Sequence, residues 1–306
     1  MYQMRVRTLI NNILIILRVS FSRITSTKYW SIYKVHNENF RSREQSLNHF
    51  EWRNSQYPGY IELMPVKNYD NKVVLDYGCG PGNDLVGFSE FSNPKELIGA
   101  DVSKPSLELA KKRLLLHRKD VRLLHLEEKE NKIPLADNSI DLIHSSGVLH
   151  HCKNLNKILK EFKRILKPEG KINIMVYNYN SIWVHLYTAY INQIEKGKYV
   201  DLTLTDAFSK LTDGKHVPIS KCYKPEDFIS ILNEFGFTGE LKGVSISLTE
   251  LISLKKLYVA LKNRALKKEQ RDFLSMVSFD KKGHPIYKSE VAGINACYNF
   301  KHKSVT

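Results

Sequence analysis

The segment VVLDYGCGPGNDL, residues 73–85, narrows the folds open to this chain more than any other. Val73-Val74-Leu75 is an uninterrupted apolar run, which suits a parallel strand covered on both faces. Asp76 ends that run, and Gly78, Gly80 and Gly82 follow at alternate positions. Glycines directly after a buried strand mark a place where something approaches the backbone and side chains would block it.

The rest of the chain gives that turn its setting. Strands are expected at 73–76, 96–101, 121–126, 140–144 and 171–177, with helices between them at 84–91, 106–117 and 154–166. The last of these helices stops at Lys167-Pro168-Glu169-Gly170. Strand and helix alternating through short loops is the pattern of an α/β, doubly wound, mostly parallel sheet. Right-handed crossovers then put the C-terminal ends of the strands on one edge, where ligands bind. Further on, a helix is expected at 225–235, a strand at 240–247, a basic helical stretch at 251–276 and a last strand at 292–301.

The glycine turn also says what it does not hold. The spacing is G-x-G-x-G, and Asn83 stands where a dinucleotide fingerprint needs Gly or Ala. No Walker lysine follows. Asp101, at the end of the second strand, is placed to accept hydrogen bonds from a ribose. Asp76 and Asp101 together would repel phosphate and suit a cation, so a ligand with a ribose and no phosphate fits best.

Composition excludes some classes and leaves others open. The 306 residues, 42% hydrophobic and 26% charged, make a globular chain able to bury a full core. The formal net charge of +15 is spread along the chain, which suits either an acidic partner or a basic compositional bias. Cys79, Cys152, Cys222 and Cys297 are far apart with no C-x-x-C, so neither a zinc knuckle nor a redox pair is signalled, and no structural metal is expected. His150-His151-Cys152 has ligand chemistry, but adjacent residues on a helix point in different directions. Free thiols suit a cytoplasmic location. Near the start, Arg5, Arg7 and Arg18 flank the run 13–17, which Asn11-Asn12 separates from the apolar residues before it. The run is too short for a span of about 20 residues and has no signal-cleavage pattern. Two placements suit 1–21: packed on the main domain, or lying on an anionic membrane at the inner face.

The segments VLDYGCGPG, IGADVSKPSLELAKKR, IPLADNSIDLIHSSGVLHH and EFKRILKPEGKINI, in this order between Lys72 and Tyr177, resemble the class I S-adenosylmethionine-dependent methyltransferases. Within that class they look most like the branch that includes the quinone-biosynthesis methyltransferases. The resemblance implies a seven-stranded Rossmann-like sheet whose last strand is antiparallel. It implies an N-terminal helical extension over 1–55, a catalytic domain over 56–302 with a lid insertion at 178–223, and S-adenosyl-L-methionine as cofactor. Gly78, Gly80 and Gly82 would let the backbone close on the methionine part, and Asp76 would face its amine. Asp101 would take both ribose hydroxyls, with Val102 against the adenine. Glu127 would meet the adenine amino group, with Glu128 competing for that role. Ser145 would sit where the fourth strand opens onto the cofactor. Arg53, in FEWRNSQYPGY, would either pair with the cofactor carboxylate or lie on the surface.

The acceptor has to be read from the flanks. The insertion carries Trp183, His185, Tyr187, Tyr190 and Tyr199, which suit either a lid over the site or the core of a helical add-on. Methyltransferases of this class that act on nucleobase amines usually carry Asn/Asp-Pro-Pro-aromatic after strand four, and here the chain reads His144-Ser145-Ser146-Gly147. No Pro-Cys is present for pyrimidine carbon chemistry. Nucleic acid is therefore disfavoured, and a small-molecule, lipid-linked or saccharide acceptor methylated on oxygen is expected. The alternative is a cofactor-binding or membrane-associated accessory protein without acceptor chemistry. A hydroxyl acceptor must lose its proton, and a histidine is suited to take it. His151, at the end of VLHH on the ligand edge, is the expected catalytic base, against a reading in which both histidines cap or pack the next helix.

Overall fold

The computed structural model describes residues 25–33, 38–127 and 132–304. The basic segment 1–21 and the competing acid Glu128 lie outside the described residues. The described chain opens with three helices, α1 (Ser26–Ile32), α2 (Arg43–Ser55) and α3 (Tyr60–Leu63). Thr25 and Ser42 start the first two by accepting the backbone N–H of Lys28 and Gln45, which satisfies donors a helix start otherwise leaves bare.

Next come β1 (Val73–Tyr77), α4 (Asn83–Phe91), β2 (Glu96–Asp101), α5 (Lys104–Leu116), β3 (Arg122–His125), β4 (Ile140–Ser146), α6 (Leu155–Ile165) and β5 (Leu166–Tyr177). An insertion follows, with a π-type helix at Trp183–Glu195 and then α7 (Leu204–Asp213). The chain continues through α8 (Pro225–Glu234), β6 (Phe237–Ser245), α9 (Leu248–Ser253), α10 (Leu257–Lys262) and α11 (Lys268–Ser275). Three short strands, β7 (Ser278–Phe279), β8 (Pro285–Tyr287) and β9 (Glu290–Val291), precede β10 (Asn295–His302).

Seven strands form one sheet in the order β3-β2-β1-β4-β5-β10-β6. β1 runs parallel to both β2 and β4, so the strand order reverses at β1 and a crevice opens above its C-terminal end. β10 is antiparallel to both β5 and β6, as expected for the last strand. Val74, Leu75, Ile98, Ile143, Ile172 and Ile174 lie at the centre of the sheet with almost no exposure, since helices cover both faces.

Three elements differ from expectation. β5 begins at Leu166, because Ile140 pairs with Leu166 and Leu142 with Lys171. The Lys167–Gly170 turn is therefore a bulge within the strand rather than a connection before it. The basic stretch 251–276 is broken instead of being one helix. Asn263 turns extended, and the Arg271 guanidinium donates to the carbonyls of Leu261, Asn263 and Leu266 that the break leaves free. Finally, 278–291 forms a small separate sheet, whose first turn is tied by Asp280 accepting the N–H of Lys282 and of His284 at 2.8 Å each.

The insertion is anchored from below. The buried Glu250 carboxylate accepts the backbone N–H of Trp183 at 3.0 Å, Ser247 at 2.8 Å and Ile294 at 3.3 Å. That one side chain links the π-type helix, the start of α9 and the approach to β10.

Candidate active site

A cavity of about 380 Å³ opens at the C-terminal ends of β1, β2 and β4. Gly78, Cys79, Gly80 and Pro81 of the glycine turn line it, while Gly82 lies against Ala110 and does not. Gly78, Gly80 and Gly82 have φ of 80°, 51° and 80°, a region L side chains rarely adopt. The N–H groups of Gly78 and Cys79 both donate to the Ala100 carbonyl, folding the turn back over β2. At Gly78 a Cβ would lie 2.3 Å from a Val148 methyl, so the turn fits beneath the loop after β4 only without a side chain. At Gly80 a Cβ would meet nothing within 4 Å, and this residue lines the cavity.

Asp101 stands at the cavity edge between the turn and α5. Its Oδ2 accepts the Gly80 N–H at 2.9 Å and its Oδ1 the Ser103 N–H at 2.7 Å, which fixes the carboxyl group. Each carboxylate oxygen keeps a further lone pair for a ligand hydroxyl. Burial pushes Asp101 above the usual carboxylate range, and the two backbone donors pull it back.

Asp76 is the unusual member. It is 2% exposed, and its Oδ2 has no hydrogen-bond partner among the described residues. Burial raises its pKa to about 6, only partly offset by His144 and Arg53. An unpaired buried carboxylate aimed at a cavity is a poor arrangement for the empty protein and a good one for a cationic ligand.

Arg53 is buried and lines the cavity; it is not a surface residue. Its guanidinium bonds Asp84 and lies 5.2 Å from the Tyr60 ring centre, while the other Asp84 oxygen meets His144 Nε2 at 3.1 Å. Val102 and Glu127 also line the cavity, with Leu126, Ile133 and Ile158 forming an apolar stretch beside them. Glu127 is an exposed rim residue, its Oε1 3.4 Å from His125 Nδ1. Ser145 does not reach the cavity. β4 runs on to Ser146, which turns Ser145 inward, where its Oγ donates to the Tyr77 carbonyl at 3.2 Å. Ser146 is the serine that lines the cavity, bonded to the Tyr60 hydroxyl.

His151 closes the far side, in the short 3-10 turn after β4. Its Nδ1 is 2.9 Å from the Ile219 carbonyl, which assigns the ring proton to Nδ1 and leaves Nε2 with a lone pair. Nε2 is 3.7 Å from Asp213 Oδ1. Burial lowers the pKa of His151, while Asp213 and the Ile219 carbonyl oppose that shift. His150, fully buried with its ring centre 3.8 Å from that of Tyr177, is held in the uncharged form by burial and packs instead of lining the cavity.

Several site residues had no local signal. Asp213, at the end of α7, lines the cavity and accepts the Tyr177 hydroxyl at 2.9 Å and the Ser220 hydroxyl. Trp30 of α1 also lines it, 4.7 Å from the His151 ring, with its carbonyl accepting the Ser103 hydroxyl. Tyr57, Tyr60 and Tyr177 complete an aromatic wall. The insertion aromatics are placed differently. Trp183 donates to Thr212 Oγ1, His185 stacks on Phe273, Tyr190 is buried, and none of Trp183, His185, Tyr187, Tyr190 and Tyr199 lines the cavity.

A doubly wound sheet with one antiparallel strand, with a glycine turn and an acid at the C-terminal ends of its first two strands, has the methyltransferase architecture. Residues 75–174 match the family model described as "Methyltransferase domain". An uncharacterized methyltransferase of Schizosaccharomyces pombe is 34% identical over 131 residues, 40% of this chain and 45% of that protein. A malonyl-[acyl-carrier protein] O-methyltransferase of Marinomonas is 34% identical over 113 residues, 37% of this chain and 40% of that protein. The chain spans about half the length of the curated relatives it matches. The crystal structure of YcgJ from Bacillus subtilis shares the fold, with a TM-score of 0.50 and 16% identity over 86% of this chain and all of that one. Residues 75–174 thus form a methyltransferase domain, and over part of its length the chain is similar to proteins named as methyltransferases.

Proposed function

We propose that this chain moves the methyl group of S-adenosylmethionine to a hydroxyl oxygen of a small-molecule, lipid-linked or saccharide acceptor, with His151 as base. One observation carries this reading: a single cavity brings an unpaired buried carboxylate and a ribose-type acid together with a histidine whose Nε2 is free to take a proton.

The residues present fit the cofactor. Asp76 would hold its ammonium group, Asp101 its ribose hydroxyls, and Val102, Leu126 and Ile158 its base. Glu127 would reach the edge of the base from the rim, and the glycine turn would admit the methionine part. Arg53, though paired with Asp84, would offer positive charge near the carboxylate end. When bound, the cofactor supplies an electrophilic sulfonium methyl group with a neutral thioether as leaving group.

The chain's own residues do the rest. The aromatic wall of Trp30, Tyr57 and Tyr177 holds the acceptor and excludes water, and positioning of this kind can supply up to about 7–11 kcal/mol of the barrier. His151 is uncharged near neutral pH because burial lowers its pKa, so Nε2 can accept the hydroxyl proton as the new C–O bond forms. The imidazolium then faces the Asp213 carboxylate, while Ile219 keeps the ring in register.

The test is His151→Ala, assayed with radiolabelled cofactor against metabolite and glycan extracts. Turnover should fall about 10²- to 10⁴-fold with cofactor affinity intact. A loss below about tenfold with an unchanged pH profile would return His151 to packing. Wild-type protein that binds cofactor but methylates nothing in any extract would favour an accessory role.

A further inference from the structure

The face formed by α9 and α10 has no role in the cavity. Along it Ile252 is 63% exposed, Tyr258 66% and Val259 50%, while Ser253 and Ala260 turn inward. These are large apolar side chains left in water on an ordered surface. Lys255 and Lys262 are exposed on the same face, and Arg264 and Lys267 follow in the break before α11.

Only two of the basic charges here are ion-paired among the described residues, Lys256 with Glu195 and Lys268 with Asp272. Between 248 and 279 the chain carries seven basic and three acidic residues. The three acids are engaged elsewhere: Glu250 is buried beneath the helix, Glu269 accepts the Tyr179 hydroxyl at 2.7 Å, and Asp272 bonds Lys268. Lys255, Arg264 and Lys267 have no ion pair among the described residues. The Lys262 ammonium lies 4.1 Å from the Tyr258 ring centre, so an amphipathic ring and a cation form one exposed unit.

An exposed apolar face alone would suit a protein partner, and a basic face alone would suit a soluble polyanion. Apolar and basic side chains interleaved on one short helical face match a bilayer interface, where the former enter the acyl boundary and the latter meet anionic head groups. Among the described residues no helix is long and apolar enough to cross a membrane, so contact through this face would be peripheral. We infer that the α9–α10 face docks the protein on an anionic lipid surface. The inference does not depend on which acceptor the cavity takes.

The full chain should float with vesicles of phosphatidylcholine mixed with phosphatidylglycerol, and not with phosphatidylcholine alone. Added salt should weaken the binding. Two double variants separate the contributions, Ile252→Ser with Val259→Ser and Lys255→Glu with Lys262→Glu. Each should lower partitioning at least about tenfold, with S-adenosylmethionine affinity and melting temperature unchanged. Failure of the wild type to float with anionic vesicles would overturn the inference. So would binding that persists within twofold in both variants, which would assign it to another segment. Capture by heparin that the lysine variant loses, with vesicle binding indifferent to the Ile252/Val259 variant, would assign the face to a soluble polyanion instead.

Discussion

Replacing Asp76 with Asn should stabilise the cofactor-free protein while disabling its site. Asp76 is 2% exposed, with one oxygen unpaired among the described residues. Burial raises its pKa from 3.8 to about 6. A carboxyl whose folded pKa lies above its unfolded value binds more protons when folded, so its ionisation costs stability as pH rises from about 4 to about 6. Two units at 1.36 kcal/mol each give a cost of about 3 kcal/mol at pH 7 and above. His144 offsets it only in part, since burial lowers the pKa of that histidine to about 4. Asp76→Asn removes this cost. The stability difference between variant and wild type should therefore be small at pH 4 and grow to about 3 kcal/mol above pH 6, read by urea unfolding without cofactor across that range. Calorimetry on the same pair should show S-adenosylmethionine affinity down about 10- to 100-fold, from one lost charged hydrogen bond. A variant less stable than wild type at pH 7, or one that keeps full affinity, would refute the reasoning.

What the sequence disclosed followed from how local each signal is. The glycine turn and Asp101 were legible because turn, strand end and acid lie on consecutive elements whose spacing the backbone dictates. Ser145 was misplaced for a related reason. With β4 ending at His144 both serines read as loop, whereas two more residues of strand make their sides alternate, sending Ser146 to the cavity and Ser145 inward. Trp30 was invisible, since it reaches the site from a helix far away in sequence; Asp213 lies within the 178–223 insertion expected over the site, but nothing around it singles it out from its neighbours there. The aromatics of the insertion invited a lid, but bulky rings also fill cores, and Trp183, His185 and Tyr190 do so here. The basic stretch read as one helix because lysines tolerate helix and loop alike, so the break at Asn263 left no pattern.

The remaining expectations follow from the same geometry. Asp101→Ala should weaken S-adenosylmethionine binding about 10- to 100-fold by calorimetry, and unchanged affinity would remove it from the site. Gly78→Ala should lower stability by more than about 1 kcal/mol, because its Cβ would meet Val148 at 2.3 Å on a backbone with φ of 80°. Gly80→Ala, whose Cβ meets nothing, should keep more of the fold and lose mainly cofactor affinity. Asp213→Asn separates a positioning role from a packing one. Asn can still accept one of the Tyr177 and Ser220 hydroxyls on Oδ1 and donate to the other through Nδ2, so the fold should hold, but the charge 3.7 Å from His151 Nε2 is gone. That charge is the leading influence opposing the burial of His151, so the histidine pKa should drop further and the acidic limb of the kcat–pH profile should move to lower pH. The imidazolium formed in the reaction would also lose its counter-charge, worth a few kcal/mol at most at an effective dielectric of about 20, so kcat should fall about 10- to 100-fold. Cofactor affinity should not change, because the side-chain contacts of Asp213 are with Tyr177, Ser220 and His151 and not with Asp76, Asp101 or the glycine turn. A fall in kcat with the acidic limb unmoved would mean that Asp213 only packs, and that the histidine's proton is governed from elsewhere.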